Sequence, residues 1–195
     1  MRRRTPLVLP ALVLILAVGC ASPPSRFYTL SATDTAAAPA SSLSLSVGPV
    51  SVPAAVDRPQ IVVATGANQV RLDEFNRWAS PLKDEISRVV AENLIAMLGT
   101  GRVTQSPQTL TRDAAYRVLI EVQRFESVPG GHARLDAVWT LRRVRDDKSR
   151  IGRTSVQESV SAPGFDGLAA AHSRAVARLS RDIADAVRAF EGVLR

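Results

Sequence analysis

Residues 116–160 read YRVLIEVQRFESVPGGHARLDAVWTLRRVRDDKSRIGRTSVQESV. Tyr116, Val118, Ile120 and Val122 alternate with Arg117, Glu121 and Gln123, and Leu135, Ala137, Trp139 and Leu141 alternate with Asp136, Thr140 and Arg142. A side-chain period of two belongs to a strand with one face on a core and the other toward water. Pro129-Gly130-Gly131 separates the first two runs, and Asp146-Asp147-Lys148-Ser149 separates the second from Ile151–Val160. The stretch therefore predicts three consecutive antiparallel strands joined by turns.

On either side of this stretch the apolar period lengthens. From about Asp166 to Val193, the residues Leu168, Ala175, Val176, Leu179, Ile183, Ala186, Val187, Phe190 and Leu194 form one stripe, with Arg174, Arg178, Arg181 and Arg188 off it beside Asp182 and Asp185. Upstream, Leu82, Ile86, Val89, Val90, Leu94, Met97 and Leu98 recur at helical spacing. Ser80 is expected as the N-cap and Pro81 at the first helical position, with Gly99 and Gly101 as the stop. Phe75 and Trp78 precede that helix and are expected to pack back onto its first turns. Shorter strands are predicted at Arg26–Leu30, Leu43–Val47 and Ile61–Val63, the last with a hairpin partner at Val70–Leu72. Residues 31–42 contain no large apolar side chain and are expected to be a mobile connection. Helices set apart from consecutive strands define an α+β fold, here a mainly antiparallel sheet with two long helices packed on one face.

The amino terminus follows a different logic. Arg2, Arg3 and Arg4 precede an apolar run from Leu7 to Val18, which is too short to span a bilayer. Leu16-Ala17-Val18-Gly19-Cys20 then resembles the bacterial lipobox, with Ala17 where leucine is usual. Cys20 is the only cysteine in the chain. Residues 1–19 read as a lipoprotein signal peptide, residues 20–25 as a lipidated tether and residues 26–195 as a single domain. The resemblance implies a diacylglyceryl, N-acylated Cys20 and no other cofactor. With no second cysteine, no disulfide framework is available, and stability must come from a core. Taking Arg2, Arg3 and Arg4 from the 25 basic residues leaves 22 against 18 acids, a net charge of +4. An exported protein of that charge meets anionic lipid rather than nucleic acid.

The ordered set of segments resembles one family. The lipobox is followed closely by Arg26-Phe27-Tyr28-Thr29-Leu30. Then come Val50-Ser51-Val52-Pro53, Asp57-Arg58-Pro59-Gln60-Ile61-Val62, Arg77-Trp78-Ala79 with Pro81-Leu82, Ala91-Glu92-Asn93-Leu94, Tyr116 to Phe125, and Leu135, Ala137 and Trp139. Together these are similar to the ABC-type transport auxiliary lipoproteins, which include the Pqi-type (paraquat-inducible) proteins. The resemblance implies a non-catalytic subunit of a mammalian-cell-entry (MCE) lipid-transport system that supports envelope integrity. Its implied partners are an MCE-domain channel and inner-membrane ABC or permease components, and it leaves room for a homo-oligomeric ring at the channel end. Ala21, rather than aspartate, follows the anchor, which resembles sorting to the periplasmic face of the outer membrane. The alternative is a stand-alone periplasmic lipid- or glycolipid-binding lipoprotein.

Candidate chemistry is sparse. Ser80-Pro81-Leu82-Lys83 matches S-x-x-K at a helix start, but no S-D-N or K-T-G follows, and a capping serine accounts for it. His132 beside a Gly-Gly turn is expected to be solvated, and His172 to lie at the border of the last helix. No zinc site or catalytic residue is assigned. The candidate partner or lipid contacts are Tyr28, Trp78, Arg142, Arg143 and Arg145. The arginines belong to a cluster with Lys148, Arg150 and Arg153 around one hairpin, which suits lipid phosphates or an acidic partner, the alternative being a solvated hairpin end. Tyr28, Trp78, Phe125 and Trp139 are the aromatics available for a lipid groove, with Trp139 expected in the core and Trp78 open to either role.

Overall fold

The computed structural model describes residues 23–33, 38–105 and 114–192. In chain order the elements are β1 (Arg26–Tyr28), β2 (Ser44–Ser51), β3 (Gln60–Gly66), β4 (Gln69–Trp78), α1 (Leu82–Leu98), β5 (Arg102–Gln105), β6 (Tyr116–Val128), β7 (His132–Arg143), β8 (Lys148–Ser159) and α2 (Gly164–Phe190). The three strands predicted from residues 116–160 are β6, β7 and β8, and β7 pairs antiparallel with both neighbours.

The five-stranded sheet runs β5-β2-β6-β7-β8, and a second, three-stranded sheet runs β1-β4-β3. The fold is α+β as expected and most of the strand pairing is antiparallel, but both sheets are mixed rather than purely antiparallel. The ladders β5–β2, β2–β6 and β1–β4 are parallel, while β3–β4, β6–β7 and β7–β8 are antiparallel. The cause lies in connection length. Tight turns join only the antiparallel neighbours, whereas two strands and α1 separate β2 from β5, a crossover long enough for parallel pairing. The helices pack together, with α1 against β2 and β5 and α2 against β7 and β8.

Alternation in β6 breaks once. Tyr116, Val118, Ile120 and Val122 are buried, Gln123 and Arg124 are both exposed, and Phe125 and Ser127 are buried again. The register against β7 shifts between Val122 and Arg124, so a β-bulge returns Phe125 to the core face. One hydrophobic cluster includes Val118, Leu141, Trp139, Phe125 and Trp78, and Ile86, Val90 and Leu94 of α1 join it with Val176, Leu179 and Ile183 of α2.

Two expectations about the ends of α1 change. Pro81, with φ −52° and ψ 131°, occupies the N-cap position, and no side chain caps the helix there, so Ser80 is not the cap. At the other end Gly99 is left-handed, with φ 62°. Residues 38–41, expected to be mobile, are bound to this end. Ala38 N–H donates to the Ala96 carbonyl (2.9 Å), and Ser41 N–H and Oγ donate to the Gly99 and Leu98 carbonyls (2.8 and 2.7 Å). These bonds satisfy carbonyls that a helix end leaves open. A Cβ on Gly99 would lie 2.0 Å from the Pro39 carbonyl oxygen, so both the backbone angle and the close approach require glycine.

Trp139 is in the core, and its indole lies against Gly152 of β8, directly opposite it in the ladder. Its Nε1 donates to Thr154 Oγ1 (3.2 Å), and that hydroxyl donates to Asp182 Oδ2 on α2 (2.5 Å), tying β7, β8 and the helix together. A Cβ at residue 152 would stand 2.0 Å from Trp139 Cζ2. Gly152→Ala should therefore destabilise the protein by roughly 1–3 kcal/mol in urea denaturation, the range for overpacking a core. Adding Trp139→Leu to Gly152→Ala should cost less than the two changes summed; strict additivity would show that the contact does not limit packing.

Candidate functional site

The first strand determines where the chain enters the fold. Phe27 and Tyr28 are adjacent in β1, so their side chains point to opposite faces. Tyr28 turns inward, its ring 5.9 Å from that of Phe165 and its hydroxyl donating to Asn76 Oδ1 (2.8 Å). Phe27 turns outward and is 64 % exposed. Beyond the strand, Leu30 is buried and its peptide is gripped by α1. Leu30 N–H donates to Glu85 Oε2 (2.9 Å), and Arg88 Nη2 donates both to the Leu30 carbonyl (2.6 Å) and to Glu85 Oε2 (2.7 Å). Ser31 N–H then donates to Ser173 Oγ on α2 (3.1 Å).

Near this entry lies an aromatic cluster. Trp78 is 5 % exposed, edge-on to Phe125 and to His172 at centroid distances of 6.0 and 6.2 Å. Phe125 stacks on the His172 ring at 3.8 Å. His172 is fully buried rather than at the helix border, because α2 is flanked by α1 as well as by the sheet. Its Nε2 is 2.8 Å from Ser127 Oγ, while Nδ1 has no hydrogen-bond partner among the described residues. Burial disfavours the imidazolium and pushes the pKa down to about 3.

Two shallow depressions flank Phe27. One, of about 610 Å³, runs along β1 to the first turns of α2 and includes Tyr28, Ser31, Asp166, Ser173 and Arg174. The other, of about 430 Å³, includes Asp57, Arg58, Arg77, Ser80 and Lys83. Lys83 is half exposed and ion-paired with Asp57 at 3.8 Å.

The arginine hairpin is a different structure. Arg143 is buried, its Nη2 and Nε donating to the Asp146 carboxylate (2.7 and 2.9 Å) and its Nη1 to the Phe190 carbonyl (2.9 Å). Its guanidinium lies 4.9 Å from the Phe190 ring centroid. The Asp146 bond raises the Arg143 pKa, and the Arg143 bond lowers that of Asp146 to about 2. Arg142 pairs with Asp147. Arg145 is exposed and forms no ion pair among the described residues.

The predicted contact residues thus do not form one site. Tyr28 lies against Phe165 at the start of α2 and Arg143 against Phe190 at its end, roughly 38 Å apart at 1.5 Å rise per residue. Trp78 and Arg143 are largely buried, at 5 % and 8 % exposure, so each offers a partner little surface, although Trp78 still lines the second depression. Cys20 lies outside the described residues. Phe27, Glu85 and Arg88 are not among the residues the sequence singles out for a site. Phe27 is recoverable, since two adjacent aromatics in one strand cannot both face the core. Among the described residues, no cluster of three or more His, Cys, Asp or Glu could hold a metal ion, and no helix is long and apolar enough to cross a membrane.

Known proteins share the fold. Residues 28–184 match the family model described as the ABC-type transport auxiliary lipoprotein component. The chain belongs to that family and is therefore an auxiliary component of ABC-type transport. A crystal structure of an uncharacterized protein is similar at a TM-score of 0.70 and 20 % identity, covering 85 % of this chain and 99 % of that one. The protein XCC0632 from Xanthomonas campestris, of the DUF330 family, is similar at a TM-score of 0.59 and 21 % identity, covering 81 % and 92 %. At these identities the likeness is one of fold. No curated protein matches the chain.

His172 makes stability pH-dependent. Its folded pKa of about 3 lies below the ordinary 6.5, so between these values the unfolded chain binds a proton that the folded chain excludes. Stability therefore falls as pH drops from 6.5 toward 3, by up to about 1.4 kcal/mol per pH unit. Urea denaturation at pH 7, 6 and 5 should show this decline, and His172→Phe should flatten it; an equal decline in the variant would assign the effect to other groups. In the hairpin, Arg143→Ala should lower the thermal midpoint more than Arg142→Ala or Arg145→Ala, measured by circular dichroism, because Arg143 is the arginine that links the turn to α2.

Proposed function

We propose that the chain is a non-catalytic lipoprotein subunit of an MCE-domain, ABC-type lipid-transport system, and that it contributes to envelope integrity. In this reading residues 1–19 are removed, Cys20 carries the acyl chains, and residues 26–195 form one domain on the periplasmic face of the outer membrane. The observation that carries the proposal is the family match across residues 28–184, nearly the whole proposed domain. The lipobox resemblance at Cys20 supplies the anchor, since acyl chains contribute about 0.8 kcal/mol per buried CH₂ and several chains hold a protein stably. The grip of Glu85 and Arg88 on Leu30 supports the same reading, because it ties the start of the domain firmly to its core ten residues after Cys20. Lys83, paired with Asp57 and open to water, supports a role in contacts rather than catalysis.

The test is affinity purification of the acylated protein from membranes in mild detergent, with mass spectrometry of what accompanies it. An MCE-domain protein and its inner-membrane transporter partner are expected. Bound phospholipid with no transporter component would replace the proposal with the stand-alone lipid-binding lipoprotein. Cys20→Ala should move the protein out of the membrane fraction without changing its circular dichroism; retention in the membrane would remove the anchor from the proposal.

A further inference from the structure

The 430 Å³ basin beside β1 combines three features that bear on how the domain sits on a membrane. The first is position. Phe27 forms one wall of the basin and is the second residue of the first strand. Arg26, where the fold begins, is six residues after Cys20, and at about 3.3–3.6 Å per residue the chain between them reaches at most roughly 22 Å. Whatever the course of that segment, the basin stays within a short distance of the attachment point.

The second feature is charge. Arg58, Arg77 and Lys83 line the basin, and Asp57 is the one acid among its lining residues. Arg26 adds a further exposed cation beside Phe27. Asp57 lies 3.8 Å from Lys83, and Glu74 lies 4.0 Å from Arg77, so these two cations are partly offset. Arg58 is exposed and forms no ion pair among the described residues. The third feature is the outward ring of Phe27. An aromatic ring at the edge of a basic surface matches the boundary between headgroups and acyl chains, where aromatics and basic side chains anchor proteins.

We propose that this basin is a membrane-docking face that receives the headgroups of anionic phospholipids, with Phe27 entering the interface beside them. The occupant follows from the sign of the charge and from the length of the tether, which keeps the face close to the leaflet holding the acyl chains. Docking is then intramolecular, so contacts too weak to recruit a free protein suffice to orient a tethered one. The proposal rests on the anchored-lipoprotein reading of Cys20, not on the identity of the transport partners.

The test uses the acylated full chain. The sulfur of Cys20 is alkylated there, so a cysteine placed by Phe27→Cys is the only free thiol. A polarity-sensitive fluorophore on it is compared with one placed by Ile151→Cys, at an exposed position on β8. Both proteins are reconstituted in vesicles of phosphatidylcholine, with or without phosphatidylglycerol, containing lipids spin-labelled near the headgroup. Mass spectrometry verifies the acyl chains, and circular dichroism verifies the fold. Quenching is expected at residue 27, not at residue 151, and only in the anionic vesicles. Arg58→Gln with Lys83→Gln should lower the docked-to-free ratio by on the order of fivefold or more, and high salt should lower it similarly.

Equal quenching at both positions would overturn the proposal, as would quenching at residue 27 that ignores lipid charge or the loss of the two cations. Protection at residue 27 that arises only when transporter proteins are added would assign the basin to a protein partner instead. No transporter protein is present in the vesicle assay itself. Failed docking therefore leaves the co-purification result standing, and failed co-purification leaves the docking result standing.

Discussion

The carboxylate of Glu85 and the guanidinium of Arg88, one turn apart on α1, hold both polar groups of the Leu30 backbone. Leu30 lies beyond the end of β1, where the ladder with β4 has stopped, yet it is buried. A buried N–H or carbonyl without a partner is costly, so the pair takes the place of a missing strand. Its charges are themselves compensated: Glu85 accepts from Arg88 and from the backbone, and Arg88 also reaches Glu92. The position of β1, the packing of Tyr28 on Phe165 and the bond from Ser31 to Ser173 are consistent with this anchorage. Through it the smaller sheet and both helices meet at the point where the chain enters the fold.

The two ends of α2 carry different duties. Near Phe165 the structure is open, with Phe27 exposed between two depressions. Near Phe190 it is closed: Arg143 fastens the β7–β8 turn to the helix end, and Tyr116 bonds to Glu191. Arginines close together in sequence therefore differ in availability. Arg143 is held by Asp146 and a backbone carbonyl, Arg142 is paired, and Arg145 faces water. A charge cluster counted from sequence measures composition, whereas a binding surface depends on which charges still lack partners.

How much of the fold is legible in the sequence follows the range of the interactions. Alternation in β6 and β7, the β3–β4 hairpin and the apolar stripes of both helices depend on neighbours in sequence, and all are visible there. The bulge at Gln123 and Arg124 is not, because it is a relation between β6 and β7 rather than a property of either. The parallel ladders are hidden for the same reason: pairing of β2 with β5 and β6 depends on a crossover spanning α1. Trp78 lies beyond the strand predicted at Val70–Leu72, whereas β4 runs on to it, with β1 as its distant partner. Polarity suggests the border of the last helix for His172, whereas Phe125 and Ser127 provide a ring to stack on and a hydroxyl inside the core. Of the candidate site, the exposed Arg145 and the half-buried Tyr28 are legible by residue type, but the separation of the two ends is not.

The geometry of β1 has a mechanical consequence. A protein fastened to a membrane by its amino end receives any pull on that end first. Here the pull would reach β1, whose ladder with β4 is parallel and spans Arg26 to Tyr28. Three residues of ladder would yield easily if they stood alone. Directly after them come the Tyr28 carbonyl, accepting from Ala79 N–H (2.8 Å), and then the charged grip on Leu30. In the proposed anchored state, tension along the tether would pass through the strand to the body of α1 and be shared among several bonds, so the weakest-looking strand of the fold would serve as its strain relief.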